Sequence, residues 1–170
     1  LSALGSALAP VSNWAAAVPG ARTVMEKTVG IARDRELPTF AGESFEDWFA
    51  ERGCRVTRSE ADDAVVLFPD TYTNYNSPEA GKAAVRVLEA ANVHVAVPED
   101  TVSSGRPAYS KGVLDLAAER ARENVDALLP AVESGKSVVF VEPSDAVMLQ
   151  DEYLDLLEGP DVDVRGFEHA

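Results

Sequence analysis

A single cysteine, Cys54, is the whole thiol inventory of these 170 residues. One thiol excludes a disulfide framework and any metal site built from the chain's own cysteines. It lies between Gly53 and Arg55 in a polar connector, where an incidental role fits better than a reactive one. Lysine is scarce too: of 15 bases only 4 are Lys, namely Lys27, Lys82, Lys111 and Lys136. Aromatic residues make up 7 % of the chain. No apolar run approaches the length of a membrane span, and no basic-then-apolar leader is present, so nothing transmembrane is expected. There is no Walker loop, no G-x-G-x-x-G and no nucleophile–base pair in the sequence. Internal repeats and low-complexity segments are absent as well.

What the chain has in excess is acid. There are 29 Asp and Glu against 15 Lys and Arg, a formal net charge of −14. Such a field repels nucleic acid and anionic membranes. It reads as a halophile's surface, kept soluble at high salt where self-repulsion is screened within about 3 Å, with an ordinary acidic protein as the plainer alternative. A cytoplasmic location follows from the same reading. The length suits one domain with an appendage. The start at Leu1 rather than Met reads as a piece of a longer protein.

Residues 1–60 read as a helical lead-in. Leu4, Leu8, Val11 and Trp14 suit one helix face, Pro19-Gly20 breaks it, and a second helix is expected over 22–29. A third, over 44–52, takes Ser44 as N-cap and presents Phe45, Trp48 and Phe49 for packing. From residue 64 the pattern changes. Ala64-Val65-Val66-Leu67-Phe68 is a continuous apolar run, as in a strand buried on both faces. A polar loop follows over 71–76. Ser77-Pro78-Glu79 opens a helix running to about residue 91, with Ala84, Leu88 and Ala91 on its apolar face. Val93-His94-Val95-Ala96-Val97 is a second strand. A helix over 111–129 carries the stripe Val113, Leu116, Ala117, Ala121, Val125 and Leu128, and Pro130 ends or kinks it. Ser137-Val138-Val139-Phe140-Val141 is a third strand, and a last helix covers 146–157. Val162-Asp163-Val164-Arg165 suits a fourth, edge strand. Residues 61–170 therefore read as an α/β domain, Rossmann-like, with a three- to four-stranded parallel sheet, right-handed crossovers and flanking helices.

Ligands of an open parallel sheet bind beyond the carboxyl ends of its strands. Three polar clusters fall there: Asp70 with Thr71, Thr73 and Asn74; Ser103-Ser104-Gly105-Arg106; and Glu142 with Ser144 and Asp145. The order of elements alone brings Asp70, Ser103, Ser104, Glu142 and Asp145 toward one crevice. Each also has a structural reading. Ser144 is a good N-cap, Glu142 and Asp145 suit a helix dipole, and Asp70 suits loop amides. Arg106 and Lys111 are cations beside the crevice, and they would bind an anion or a carboxylate such as Asp70 or Glu142. Tyr72, Tyr75 and Tyr109 either wall the crevice or pack. His94, in the second strand, reads as structural.

The frame Ser103-Ser104-Gly105-Arg106-Pro107 resembles the Cys-Cys-Gly-Arg-Pro signature of the cysteine-rich (CCG) domain of iron–sulfur oxidoreductases. In that motif one ligand position precedes a Cys-Cys pair by thirty-odd residues, and a C-x-x-C pair follows after a similar gap. Here 32 residues separate Asp70 from Ser103, 37 separate Ser104 from Glu142, and Glu142-Pro143-Ser144-Asp145 keeps the C-x-x-C spacing. Flanking residues extend the likeness: Phe68-Pro69-Asp70-Thr71, Thr73-Asn74-Tyr75, Gly105-Arg106-Pro107, Tyr109-Ser110, Gly112 and Asp151-Glu152-Tyr153. The resemblance covers most of 64–157 and, more loosely, the helical lead-in.

The resemblance implies a [4Fe-4S] cluster in the family, with Asp70, Ser103, Ser104, Glu142 and Asp145 at its ligand positions. Iron–sulfur clusters are held by thiolates. Hydroxyls and carboxylates instead suit Mg²⁺, Ca²⁺ or Mn²⁺, so the cluster is not expected in this chain as written. Two origins fit the serines: a natural branch that lost the cluster, or replacement of Cys by near-isosteric Ser. Asp145, which is not isosteric, favours the natural branch. The implied role is electron transfer or structure in the C-terminal part of a multidomain dehydrogenase like those acting on D-lactate or glycolate. FAD would be held in another domain, the other domains or subunits would be the partners, and the fragment alone would be inactive. The alternatives are a cluster-free interaction module, marked by an exposed apolar patch around Trp14, Trp48 and Phe49, and a divalent-metal domain.

Overall fold

A computed structural model describes residues 39–157 continuously, with positions 23, 26–28, 30 and 32 before them. The helices expected over 1–29 and the edge strand over 162–165 lie outside the continuous description.

The expected parallel sheet is present. Strands β1 (Asp63–Leu67), β2 (Val93–Ala96) and β3 (Ser137–Val139) pair in the order β2-β1-β3. Val65 lies opposite Val95 on one side and Ser137 on the other. β1 is central and apolar on both faces, because both faces are covered. Val66 and Phe68 join Ala117, Ala121, Val125, Leu128, Met148 and Tyr153 in one cluster, while Val65 and Leu67 join Phe45, Val85 and Val95 in the other. Each large apolar side chain so buried contributes about 1.5–3 kcal/mol relative to exposure.

Helix α1 (Phe45–Arg52) begins as the sequence indicates. The Ser44 hydroxyl accepts from Asp47 N at 3.0 Å, and Phe45 is fully buried. Trp48 and Phe49 are half-buried against that core, and Trp14, the third member of the expected patch, lies outside the described residues. The stretch expected as a loop after β1 is instead a short helix, α2 (Thr71–Tyr75), because Asp70 caps it.

Helix α3 (Pro78–Ala90) buries Gly81, Lys82 and Val85, whereas Ala91, expected inside, is exposed. Gly81 admits a close approach: a Cβ there would lie 2.7 Å from Phe45 Cδ2 and 2.8 Å from Thr73 Cγ2.

The helix expected over 111–129 starts later and runs further, as α5 (Leu114–Glu133). The stretch before it, expected as loop, holds a separate short helix, α4 (Arg106–Tyr109), and a turn joins the two. Lys111 therefore sits in the turn and not at a helix start. Val113 and Leu116 are exposed, and the buried stripe is Ala117, Ala121, Asn124, Val125 and Leu128. Pro130 does not end α5. The stop comes at Gly135, whose φ of +81° permits the closing bonds Gly135 N to Val132 O and Lys136 N to Ala131 O.

The last helix starts earlier than expected, as α6 (Pro143–Val147) with Glu142 as its cap, so Ser144 lies within the first turn. It passes through a π turn (Met148–Glu152) into α7 (Tyr153–Leu156).

Candidate functional site

In the order β2-β1-β3, the connection from β2 to β3 crosses past β1. The point where the winding reverses lies between the carboxyl ends of β1 and β3, the place where such sheets bind ligands. Asp70 follows β1 there, Glu142 and Asp145 follow β3, and Ser104 arrives from the loop after β2.

Asp70 is 2 % exposed. Its Oδ1 accepts from Tyr72 N at 3.0 Å and Thr73 N at 2.9 Å, capping α2. Its Oδ2 is buried without a hydrogen-bond partner. Ser104 is buried as well. Its hydroxyl donates to Asp145 Oδ1 and accepts from Arg106 N at 3.2 Å. Burial pushes the Asp145 carboxyl above its ordinary range. The Ser104 hydrogen bond opposes that rise, and the charges of Asp70 and Glu142 add to it. Glu142 Oε1 accepts from Ser144 N at 3.2 Å and Ser144 Oγ at 2.8 Å.

The structure thus brings together Asp70, Ser104, Glu142 and Asp145. It leaves out Ser103, which is exposed and contributes its carbonyl to Asn124 Nδ2 at 3.2 Å. Arg106 binds a carboxylate, but that of Glu152 rather than Asp70 or Glu142. Lys111 is exposed and takes part in none of the ion pairs among the described residues. Of the tyrosines, Tyr72 is exposed, Tyr109 packs on the core, and Tyr75 lines a cleft of about 520 Å³ with Pro69, Thr71, Val102 and Ser103. His94 Nδ1 donates to Val56 O at 2.7 Å, in keeping with a structural role.

Sequence reasoning missed Asn124 and Tyr153. Asn124 is wholly buried in the α5 stripe. Its Oδ1 accepts from Val102 N at 2.8 Å, and its Nδ2 donates to Tyr153 Oη at 3.0 Å. Tyr153 in turn donates to Ser104 O at 2.8 Å. One amide and one phenol therefore hold the 102–104 backbone. The available signal was an asparagine on an otherwise apolar helix face, which has to find partners when buried. The π turn aids the geometry. On an unbroken α-helix Asp145 and Tyr153 would lie about 80° apart. The wider i→i+5 turn rotates each residue less and brings both toward Ser104.

The donor set does not fit an iron–sulfur cluster. It offers a hydroxyl and three carboxylates and no thiolate, and the hydroxyl is already committed to Asp145. The sole thiol, Cys54, lies under β2, where its Sγ accepts from Val95 N at 3.3 Å. Among the described residues no group of three or more His, Cys, Asp or Glu is disposed to hold a metal ion. Nor is any helix among them long and apolar enough to cross a membrane.

Compared with known proteins, the chain is 27 % identical over 167 residues to a subunit of the anaerobic glycerol-3-phosphate dehydrogenase of Escherichia coli strain K12, and equally to its counterpart in Escherichia coli O157:H7. The match takes in 98 % of this chain and 41 % of each relative, so the chain spans well under half the length of the curated relatives it matches. No family model matches the chain. No solved structure matches it either.

Proposed function

We propose that this chain is a structural, cluster-free domain of a multidomain iron–sulfur and flavin oxidoreductase. The observation that carries the reading is the buried Ser104–Asp145 hydrogen bond. At two positions where the resembling family places cysteine ligands, the chain has a donor and an acceptor that satisfy each other. The hydroxyl and carboxylate fill the crevice from within, and Tyr153 and Asn124 brace its backbone. The similarity to part of a dehydrogenase over nearly the whole chain supports placement in an enzyme of that kind.

In this reading FAD and any [4Fe-4S] clusters belong to other domains or subunits, with which this domain docks. The parent enzyme oxidises a small hydroxylated substrate of the lactate, glycolate or glycerol 3-phosphate type. This domain touches neither the hydride nor the electrons. Its own residues exclude water from the Ser104–Asp145 pair and hold the helix after β3 against the loop after β2.

The test is iron and sulfide analysis with an anaerobic visible spectrum. It compares the chain with a variant carrying Ser103→Cys, Ser104→Cys and Asp145→Cys. The expected result is no iron or sulfide in the parent and uptake in the variant. Stoichiometric iron and sulfide in the parent would overturn the cluster-free reading.

A second reading, a divalent-cation domain, draws on the buried, unpartnered Asp70 Oδ2 beside Asp145. A rise in Tm with Mn²⁺ that Asp70→Asn abolishes would support it, and an unchanged Tm would remove it.

A further inference from the structure

In a chain with nearly two acids to each base, the cleft beside Trp48 is positive. It measures about 470 Å³ and lies between α1 and α3, lined by Trp48, Arg52, Arg55, Val56, Arg86, Glu89 and Ala90. Three arginines there face one glutamate. Arg52 is committed to Glu89 through two bonds, NH1 to Oε1 at 2.9 Å and NH2 to Oε2 at 2.6 Å. Lys82, whose Nζ lies 5.6 Å from the Trp48 centroid, is committed to Glu43 and Glu79. Arg55 and Arg86 are exposed and take part in none of the ion pairs among the described residues. The Trp48 ring anchors this cation cluster. Arg52 Cζ lies 4.9 Å from its centroid and Arg86 Cζ 5.9 Å, both within cation–π range.

We infer that this cleft is the docking surface for an acidic segment of a partner protein, one that presents carboxylates beside apolar side chains. Charge complementarity selects the partner. Most of this chain's surface repels an acidic protein, and two uncommitted guanidiniums in one cleft attract it. Guanidinium forks match carboxylates bidentately. The lining also offers apolar surface from Trp48, Val56 and Ala90, which a bare inorganic anion would not use. Tryptophan and arginine are the side chains on which interface energy most often concentrates. The cleft shares no lining residue with the Ser104–Asp145 cluster, so the inference stands whether or not that crevice ever holds metal.

The test uses the full chain and a fluorescein-labelled peptide of sequence Glu-Leu-Glu-Glu-Leu-Glu, followed by anisotropy at fixed salt. The expected result is saturable binding that weakens at least about tenfold in an Arg55→Glu, Arg86→Glu double variant. The milder Arg55→Gln, Arg86→Gln pair should show an intermediate loss, which guards against a fold defect in the charge reversal. Circular dichroism checks the fold in each. Arg122→Glu, an exposed reversal on α5, should leave binding within about twofold and so removes net charge as the cause. No saturable binding, or binding indifferent to Arg55 and Arg86, overturns the inference. Full competition by millimolar inorganic phosphate also overturns it, by making the cleft a simple anion site.

Discussion

The Tyr153 hydroxyl donates to the backbone carbonyl of Ser104 at 2.8 Å while accepting from Asn124 Nδ2 at 3.0 Å. Burial pushes the phenol's pKa up, so it remains a donor throughout the accessible pH range. Tyr153→Phe keeps the ring in the core and removes only the bridge. It leaves a buried carbonyl and an amide N–H short of a partner, at a cost of about 1–3 kcal/mol. Urea unfolding of the variant should show a lower midpoint with an unchanged slope. An unchanged midpoint would mean that the bridge adds nothing.

Asp145 gives a pH signature of definite sign. Its folded pKa is raised above the ordinary 3.8, mainly by burial. Protonation therefore favours the folded state. The contribution is fully present at and below the unfolded value, near 4, and is lost as pH rises through the folded value. In Asp145→Asn the side chain is neutral throughout and its Oδ1 still accepts from Ser104. Relative to this variant, the wild type should lose stability as pH rises above about 4. Parallel curves from urea titrations at several pH values would refute the shift.

The central strand and the crevice were legible in the sequence for separable reasons. Ala64-Val65-Val66-Leu67-Phe68 has no polar residue to spare, so it must be covered on both sides. The convergence of Asp70, Ser104 and Asp145 needed only the order of the elements. What was hidden depended on single side chains acting at a distance. Glu142 displaced Ser144 as cap because its longer side chain reaches Ser144 N. Asp70 turned the stretch after β1 into a helix. The end of α5 was set by Gly135 and not by Pro130. The Arg106–Glu152 pair spans 46 positions, and no local pattern encodes it.

Arg52 and Glu89 form a shielded bidentate pair, with side chains 14 % and 9 % exposed. The Arg52 hydrogen bonds hold the Glu89 carboxyl below its ordinary range. The sign is therefore opposite to that of Asp145. The contribution is present above the unfolded value, near 4.3, and is lost as pH falls through the depressed folded value. A double-mutant cycle with Arg52→Ala and Glu89→Ala should give a coupling of about 1–3 kcal/mol at neutral pH. The coupling should shrink on acidification. A coupling near zero, as at an exposed ion pair, would show that the shielding has no energetic effect.

Gly81 sets local packing against intrinsic helix preference. In an exposed helix interior, alanine would stabilise by about 1 kcal/mol over glycine. At Gly81 the added Cβ would stand 2.7 Å from the Phe45 ring and 2.8 Å from the Thr73 methyl, inside contact distance for both. Overpacking of this kind costs about 1–3 kcal/mol, so Gly81→Ala should be neutral to destabilising, by up to about 2 kcal/mol, despite the better helix former. The decisive measurement repeats the substitution in a Phe45→Val, Thr73→Ser background. Valine has no δ carbon and serine no methyl, so the two atoms that crowd the site are gone there and the propensity term dominates. Gly81→Ala should then raise the unfolding midpoint. If it lowers the midpoint equally in both backgrounds, the glycine is required by something other than the approach of α3 to Phe45.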